Sequence, residues 1–154
     1  MSWIYLVNKG IKHSVTGLSI EFEADREFLR KVLSFDPQKN IGRFDREDSY
    51  ETIGDSSDWI RLTFDDEHKL REIEVILGTV SLGDLEIFIE GDLRATIAKL
   101  ETLGIRLIRN DYGYVSNEFK FDLGDGELTE GEENKISWFY ASTDVSHLIP
   151  TLPD

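Results

Sequence analysis

The chain has no cysteine. That removes structural disulfides, thiol nucleophiles and thiolate metal sites, and it suits a reducing compartment. Nor is there a long apolar run. The opening stretch Met1-Ser2-Trp3-Ile4-Tyr5-Leu6-Val7-Asn8-Lys9 lacks a basic flank and is too short for a signal peptide or a membrane span. A cytoplasmic protein is the expectation. Bases are scarce: 17 Lys and Arg stand against 31 Asp and Glu, for a net charge of −14. Such a chain is repelled by nucleic-acid phosphates and by anionic membrane surfaces, so neither is expected as a partner.

Chemical motifs are missing too. No strand–glycine-rich loop–helix context carries a phosphate-binding lysine, no serine sits in a nucleophile elbow, and no two histidines stand at helical spacing for zinc. His13, His68 and His147 are far apart in sequence. The run Asp122-Leu123-Gly124-Asp125-Gly126-Glu127 has glycine where a calcium loop needs its third and fifth ligands. No catalytic residue, metal ligand or cofactor is assigned.

What is present is a core. Hydrophobic residues make up 40% of the 154, enough for one ordinary domain, and no linker or repeat divides the chain. The organising stretch is residues 59–77. Ile60, Leu62 and Phe64 alternate with Arg61 and Thr63, and Ile73, Val75 and Leu77 alternate with Glu72 and Glu74. Period two marks half-buried strands. The polar, glycine-free residues 65–69 between them predict a four- or five-residue hairpin loop, within an antiparallel sheet having one dry and one wet face.

Further strands are predicted at residues 3–7 (apolar throughout, hence covered on both faces), 18–23, 85–90, 105–108, 119–123 and 136–140. The last of these, Ile136-Ser137-Trp138-Phe139-Tyr140, is aromatic and reads as central or covered. Asp25 caps a helix whose stripe is Phe28, Leu29, Val32 and Leu33, stopped at Asp36-Pro37. Asp92 caps a second, striped by Leu93, Ile97, Leu100 and Leu103 and ended by a left-handed Gly104. Residues 36–58 show no period and read as a long loop, the alternative being a short strand from Ser49 to Ile53, and residues 78–84 read as a glycine-bracketed connection. An extended tail follows from about residue 142. The fold class is α+β: a mainly antiparallel, twisted sheet of about eight strands with two helices packed on it.

The negative charge is uneven. Residues 45–58 hold six acids against Arg46 alone, and residues 122–133 hold six acids and no base, so the two windows carry 11 of the 14 excess charges. Acidic loops beside aromatic residues suit a basic protein partner. The first candidate contact surface is Asp45, Glu47, Asp48, Tyr50, Glu51, Asp55 and Asp58. The second is the loop with Asp125, Glu127, Glu130, Glu132 and Glu133.

The strand–acidic turn–strand run Ile60-Arg61-Leu62-Thr63-Phe64-Asp65-Asp66, continued by Leu70-Arg71-Glu72-Ile73-Glu74-Val75, is similar to a hairpin of small acidic bacterial immunity proteins of toxin–immunity systems. The resemblance covers about a fifth of the chain and carries no site residue across. It implies a protein that neutralises a basic toxin by covering it. The residues also leave open a small-molecule or metal-dependent enzyme built from distant Asp, Glu and His, or an oligomeric structural subunit using the aromatic last strand. A deep pocket of converging acids and histidines distinguishes the enzyme from a convex acidic face.

Overall fold

A computed structural model describes residues 3–51 and 58–150. Its strands are β1 (Trp3–Leu6), β2 (Gly10–His13), β3 (Ser19–Glu21), β4 (Glu47–Tyr50), β5 (Trp59–Phe64), β6 (Leu70–Leu77), β7 (Thr79–Leu82), β8 (Leu85–Phe88), β9 (Ile108–Arg109), β10 (Gly113–Ser116), β11 (Phe121–Asp125) and β12 (Ile136–Ser142). Helices are α1 (Arg26–Val32), α2 (Leu93–Thr102) and the one-turn α3 (Gly126–Thr129), with a 3-10 turn at Ser146–Leu148. The α+β class holds, with one correction of layout: the strands form two sheets rather than one. Five strands run in the order β3-β2-β1-β7-β8 and seven in the order β4-β5-β6-β12-β11-β10-β9. Every pairing is antiparallel except β1 with β7.

The central hairpin follows its period as far as Val75; Leu77, expected on the apolar side, is exposed where the register shifts beside Trp59. Ile60, Leu62, Phe64, Ile73 and Val75 are buried on one face, while Arg61, Thr63, Glu72 and Glu74 face the other way. Residues 65–69 close it, with the Asp65 carboxylate accepting from the Glu67 and Lys69 amides. These two bonds do the work glycine does in a tighter turn. The strand β12 lies mid-sheet between β6 and β11, so neither of its edges is open for pairing with another copy.

The chain passes from one sheet to the other through a single residue, Gly78, between β6 and β7. Its φ of 122° is one that side chains disfavour, and a Cβ there would lie 2.5 Å from Asp58 Oδ1. Across the shared core the Tyr5 ring meets Phe139 and Phe121 edge-on, at 5.1 and 6.3 Å between centroids. The Tyr5 hydroxyl donates to the carbonyls of Phe119 and Lys120, which satisfies its buried polar end. Burying each such aromatic or aliphatic side chain contributes roughly 1.5–3 kcal/mol.

Three expectations change. In β1 only Trp3 and Tyr5 point inward; Ile4 and Leu6 are exposed, because the outer face of the five-stranded sheet carries no covering layer over them. In α1 the buried residues are Arg26 and Leu29, with Leu33 partly buried just past its end, so Phe28 and Val32 are left outside. The tail beyond β12 is not simply extended. Val145 is fully buried, and with Leu148 and Ile149 it packs on Val115, Tyr140 and Trp138. The second helix matches its reading at both ends, with the Asp92 carboxylate accepting from the Ala95 amide and Gly104 at a φ of 81°, but of its expected stripe Leu103, the C-cap residue, lies exposed.

Candidate functional groove

The acids of the first candidate surface divide sharply. Asp45 and Glu51 are exposed, and Asp55 lies outside the described residues. Glu47, Asp48, Tyr50 and Asp58 are buried, and the three acids among them are spent on arginine or histidine partners inside the chain, which removes them from the contact surface. Each acid among them has an internal task. Asp48, on the inward face of β4, accepts from Arg26 Nη2 at 2.7 Å and from Arg30 Nε and Nη2 at 2.9 and 2.8 Å. This binds α1 to the sheet edge. Burial disfavours the ionised Asp48, but the bonds from Arg30 and Arg26 outweigh it and hold the carboxyl below the usual range. The same contest, won by Arg43, lowers Glu47. Asp58 meets His13 Nε2 at 3.2 Å, while His13 Nδ1 accepts from the Thr16 amide.

In the second candidate loop Asp125 is buried and caps α3, accepting from the Glu127 amide. Glu127, Glu130, Glu132 and Glu133 stay exposed. Carboxylate oxygens of Glu90, Glu130 and Glu132 come within 4.8 Å of one another, close enough to share a cation. Lys135 supplies one, with Nζ 2.9 Å from Glu132 and 3.8 Å from Glu90.

The sequence reading did not single out the wet face of the seven-stranded sheet. Residues directly opposite in a ladder share a face. The register therefore lines up Ser49, Arg61, Glu74, Tyr140 and Asp122 in one row across five strands. On β12 next to this row, Trp138 lies over Gly124, where an added Cβ would fall 2.5 Å from the indole ring. Trp59 closes the far end, its Nε1 donating to Ser49 Oγ at 2.9 Å with the Arg61 guanidinium 4.8 Å from its ring centre. These side chains floor a groove of about 460 Å³, walled by Arg43 on one side and by Thr129, Glu130 and Leu148 on the other.

Two carboxylates face this groove in different settings. Burial pushes Glu74 up, partly offset by Arg43 at 3.7 Å and Arg61 at 3.9 Å. Asp122, only 4% exposed, is pushed up by burial as well. Its hydrogen-bond donors are neutral: Asn110 Nδ2 at 2.9 Å and Trp138 Nε1 at 3.1 Å. Among the described residues no Lys or Arg hydrogen-bonds to it, while the nearby His147 side chain favours its ionised form. Asn110 also donates to the Leu148 carbonyl, which ties the returning tail to the groove wall. Burial likewise raises the Tyr140 hydroxyl, which stands 3.4 Å from His147 Nε2.

No protein-family model matches this sequence, and no curated protein matches it. Among solved structures, a DUF4309 family protein (YjgB) from Bacillus subtilis subsp. subtilis str. 168 is similar over 89% of this chain and 88% of its own. The TM-score is 0.52 and the sequence identity 13%. The two chains share a fold. At that identity the likeness to YjgB extends to architecture and not to site residues.

One feature of the sequence pointed toward the groove. Asp122 lies on the polar side of the alternation Phe119, Phe121, Leu123, just as Glu74 lies on that of β6. What pattern does not give is strand order, and only the pairing of β12 with both β6 and β11 makes these acids neighbours.

Proposed function

We propose that this protein is a cytoplasmic, non-enzymatic binding module that takes a basic protein partner on the wet face of its seven-stranded sheet. It would act as an inhibitor that covers its target, as the resemblance to immunity proteins implies. The observation carrying this reading is Asp122, a buried carboxylate on the floor of an aromatic-lined groove with only neutral donors around it. A buried charge with no cation hydrogen-bonded to it is costly and gains from meeting one. The exposed Glu130 lines the groove, and the net charge of −14 favours fast encounter with a basic surface.

The test is capture from lysate of the native cell on the tagged protein, at low and at moderate salt. A single basic protein retained at low salt and released as salt rises is the expected result, followed by purification of that partner and direct kinetics. Capture of nothing basic at either salt overturns the reading.

A second reading, an enzyme, is favoured by one observation: Glu74 and Asp122 face the same groove on either side of Tyr140. It predicts that Glu74→Gln and Asp122→Asn abolish function while the partner still binds. The binding module predicts that function and binding fall together.

A further inference from the structure

The protein's own arginines show how its aromatic and acidic side chains are used together. Arg26 lies over Phe64 and pairs with Asp48; Arg30 lies over Phe35 and pairs with the same carboxylate. Arg43 lies over Phe44 and pairs with Glu47, Arg61 over Trp59 with Glu74, and Arg109 over Tyr114 with Asp125. In all five cases a guanidinium lies within 5.4 Å of an aromatic ring centre and within 4.0 Å of a carboxylate. Trp138 and Asp122 are a sixth aromatic–carboxylate pair, hydrogen-bonded to each other on the groove floor, and no arginine of the described chain completes it.

We propose that Asp122 anchors the guanidinium of an arginine carried by the basic partner, which lies in the groove against Trp138 and Tyr140; the inference rests on the binding reading above. The acceptor count fits. A carboxylate offers about four lone-pair positions. Asp122 Oδ1 uses one on Asn110 and Oδ2 uses one on Trp138, so each oxygen keeps one for the two parallel N–H groups of a guanidinium fork. An ammonium ion presents a point charge and cannot span both oxygens in the same plane. The Trp138 and Tyr140 rings on the groove floor add cation–π attraction, which favours arginine over lysine again. Glu130 on the wall and Glu74 across Tyr140 supply long-range attraction, while Arg61 and Arg43 are already engaged with Glu74. One guanidinium therefore fits at the Asp122 end of the groove and not at the Trp59 end.

The experiment is a titration of the ¹⁵N-labelled full chain with a tetra-arginine peptide and, separately, with a tetra-lysine peptide at physiological salt. The readout is the indole N–H resonance of Trp138, assigned with Trp138→Phe, beside the backbone amides of residues 127–133. The arginine peptide is expected to move the Trp138 indole saturably and to bind about tenfold more tightly than the lysine peptide. Asp122→Asn should weaken the arginine peptide by about tenfold or more, and exposed Asp45→Asn should not. The arginine–lysine contrast is read on the unaltered protein, so it stands even if Asp122→Asn folds poorly. Equal binding of both peptides, or movement of residues 127–133 with Trp138 unmoved, overturns the arginine assignment and leaves the binding module standing. No movement of any resonance with either peptide overturns both.

Discussion

Asp48 offers the sharpest separation between a residue that contacts a partner and one that holds the fold. Read from sequence, it belongs to an acidic surface loop; in the structure it is fully buried between Arg26 and Arg30. Asp48→Ala removes the acceptor for four hydrogen bonds from two guanidinium groups. Arg26, itself 8% exposed, would then be a buried charge whose remaining contact is the Phe64 ring at 5.1 Å. Deleting one member of a buried ion pair costs about 3–5 kcal/mol, since the other charge stays desolvated. Against a stability of about 5–15 kcal/mol, that is a large fraction. In a chain of this length each kcal/mol lowers Tm by about 2–4 °C, so a fall on the order of 10 °C is expected. Urea and thermal unfolding followed by far-ultraviolet circular dichroism give the value. Exposed Asp45→Ala serves as the control and should stay within about 0.5 kcal/mol of wild type. If Asp48→Ala unfolds where wild type does, the buried arginine clasp is refuted.

The remaining predictions concern pH and the sheet crossover. Glu74 and Asp122 hold their protons more tightly folded than unfolded, so they weaken the fold as pH climbs from about 4 through their raised folded values. Glu47 and Asp48 are shifted the opposite way, and their stabilisation is lost as pH falls below about 4 toward their depressed folded values. Thermal melts should therefore show a higher Tm near about pH 5 than near about pH 7.5, with a steep loss below about pH 3.5. Asp122→Asn should flatten the gain between neutral and mildly acid pH, and an unaltered slope in that variant would remove Asp122 from the explanation. At the crossover, Gly78→Ala places a Cβ 2.5 Å from Asp58 Oδ1 at a φ of 122°. A loss of about 1–3 kcal/mol in urea unfolding is expected, and a neutral result would show that the crossover relaxes freely.

How much of this was legible in the sequence depended on whether the deciding contacts were local. The hairpin of β5 and β6, its polar loop capped by Asp65, and the capped helix α2 follow from period, charge and turn chemistry within a few residues of one another. The strands that escaped notice lack such cues. Gly10–His13 is bounded by turn residues and holds a single outward lysine, and Thr79–Leu82 begins directly after the glycine at which the chain changes sheets. β10 and α3 sit in stretches whose glycines and acids read as loop.

The site was harder to read than the fold. Acidity in a window says nothing about exposure, and the arginines that draw Asp48 inside lie 18 and 22 residues away. The groove needs even longer reach. Glu74 and Asp122 come to face one groove, on either side of Tyr140, only because β12 inserts between β6 and β11, a non-local pairing that no short pattern encodes.

The claim that the wet face of the seven-stranded sheet is the contact surface is tested most directly by hydrogen–deuterium exchange on the protein alone and with its captured basic partner. Slowed exchange is expected in residues 129–138 and 145–149, which hold the groove-lining Thr129, Glu130, Ser137, Trp138 and Leu148, with residues 79–88 of the five-stranded sheet unchanged. Protection confined to the five-stranded sheet, with the groove lining exchanging as in the free protein, would contradict it.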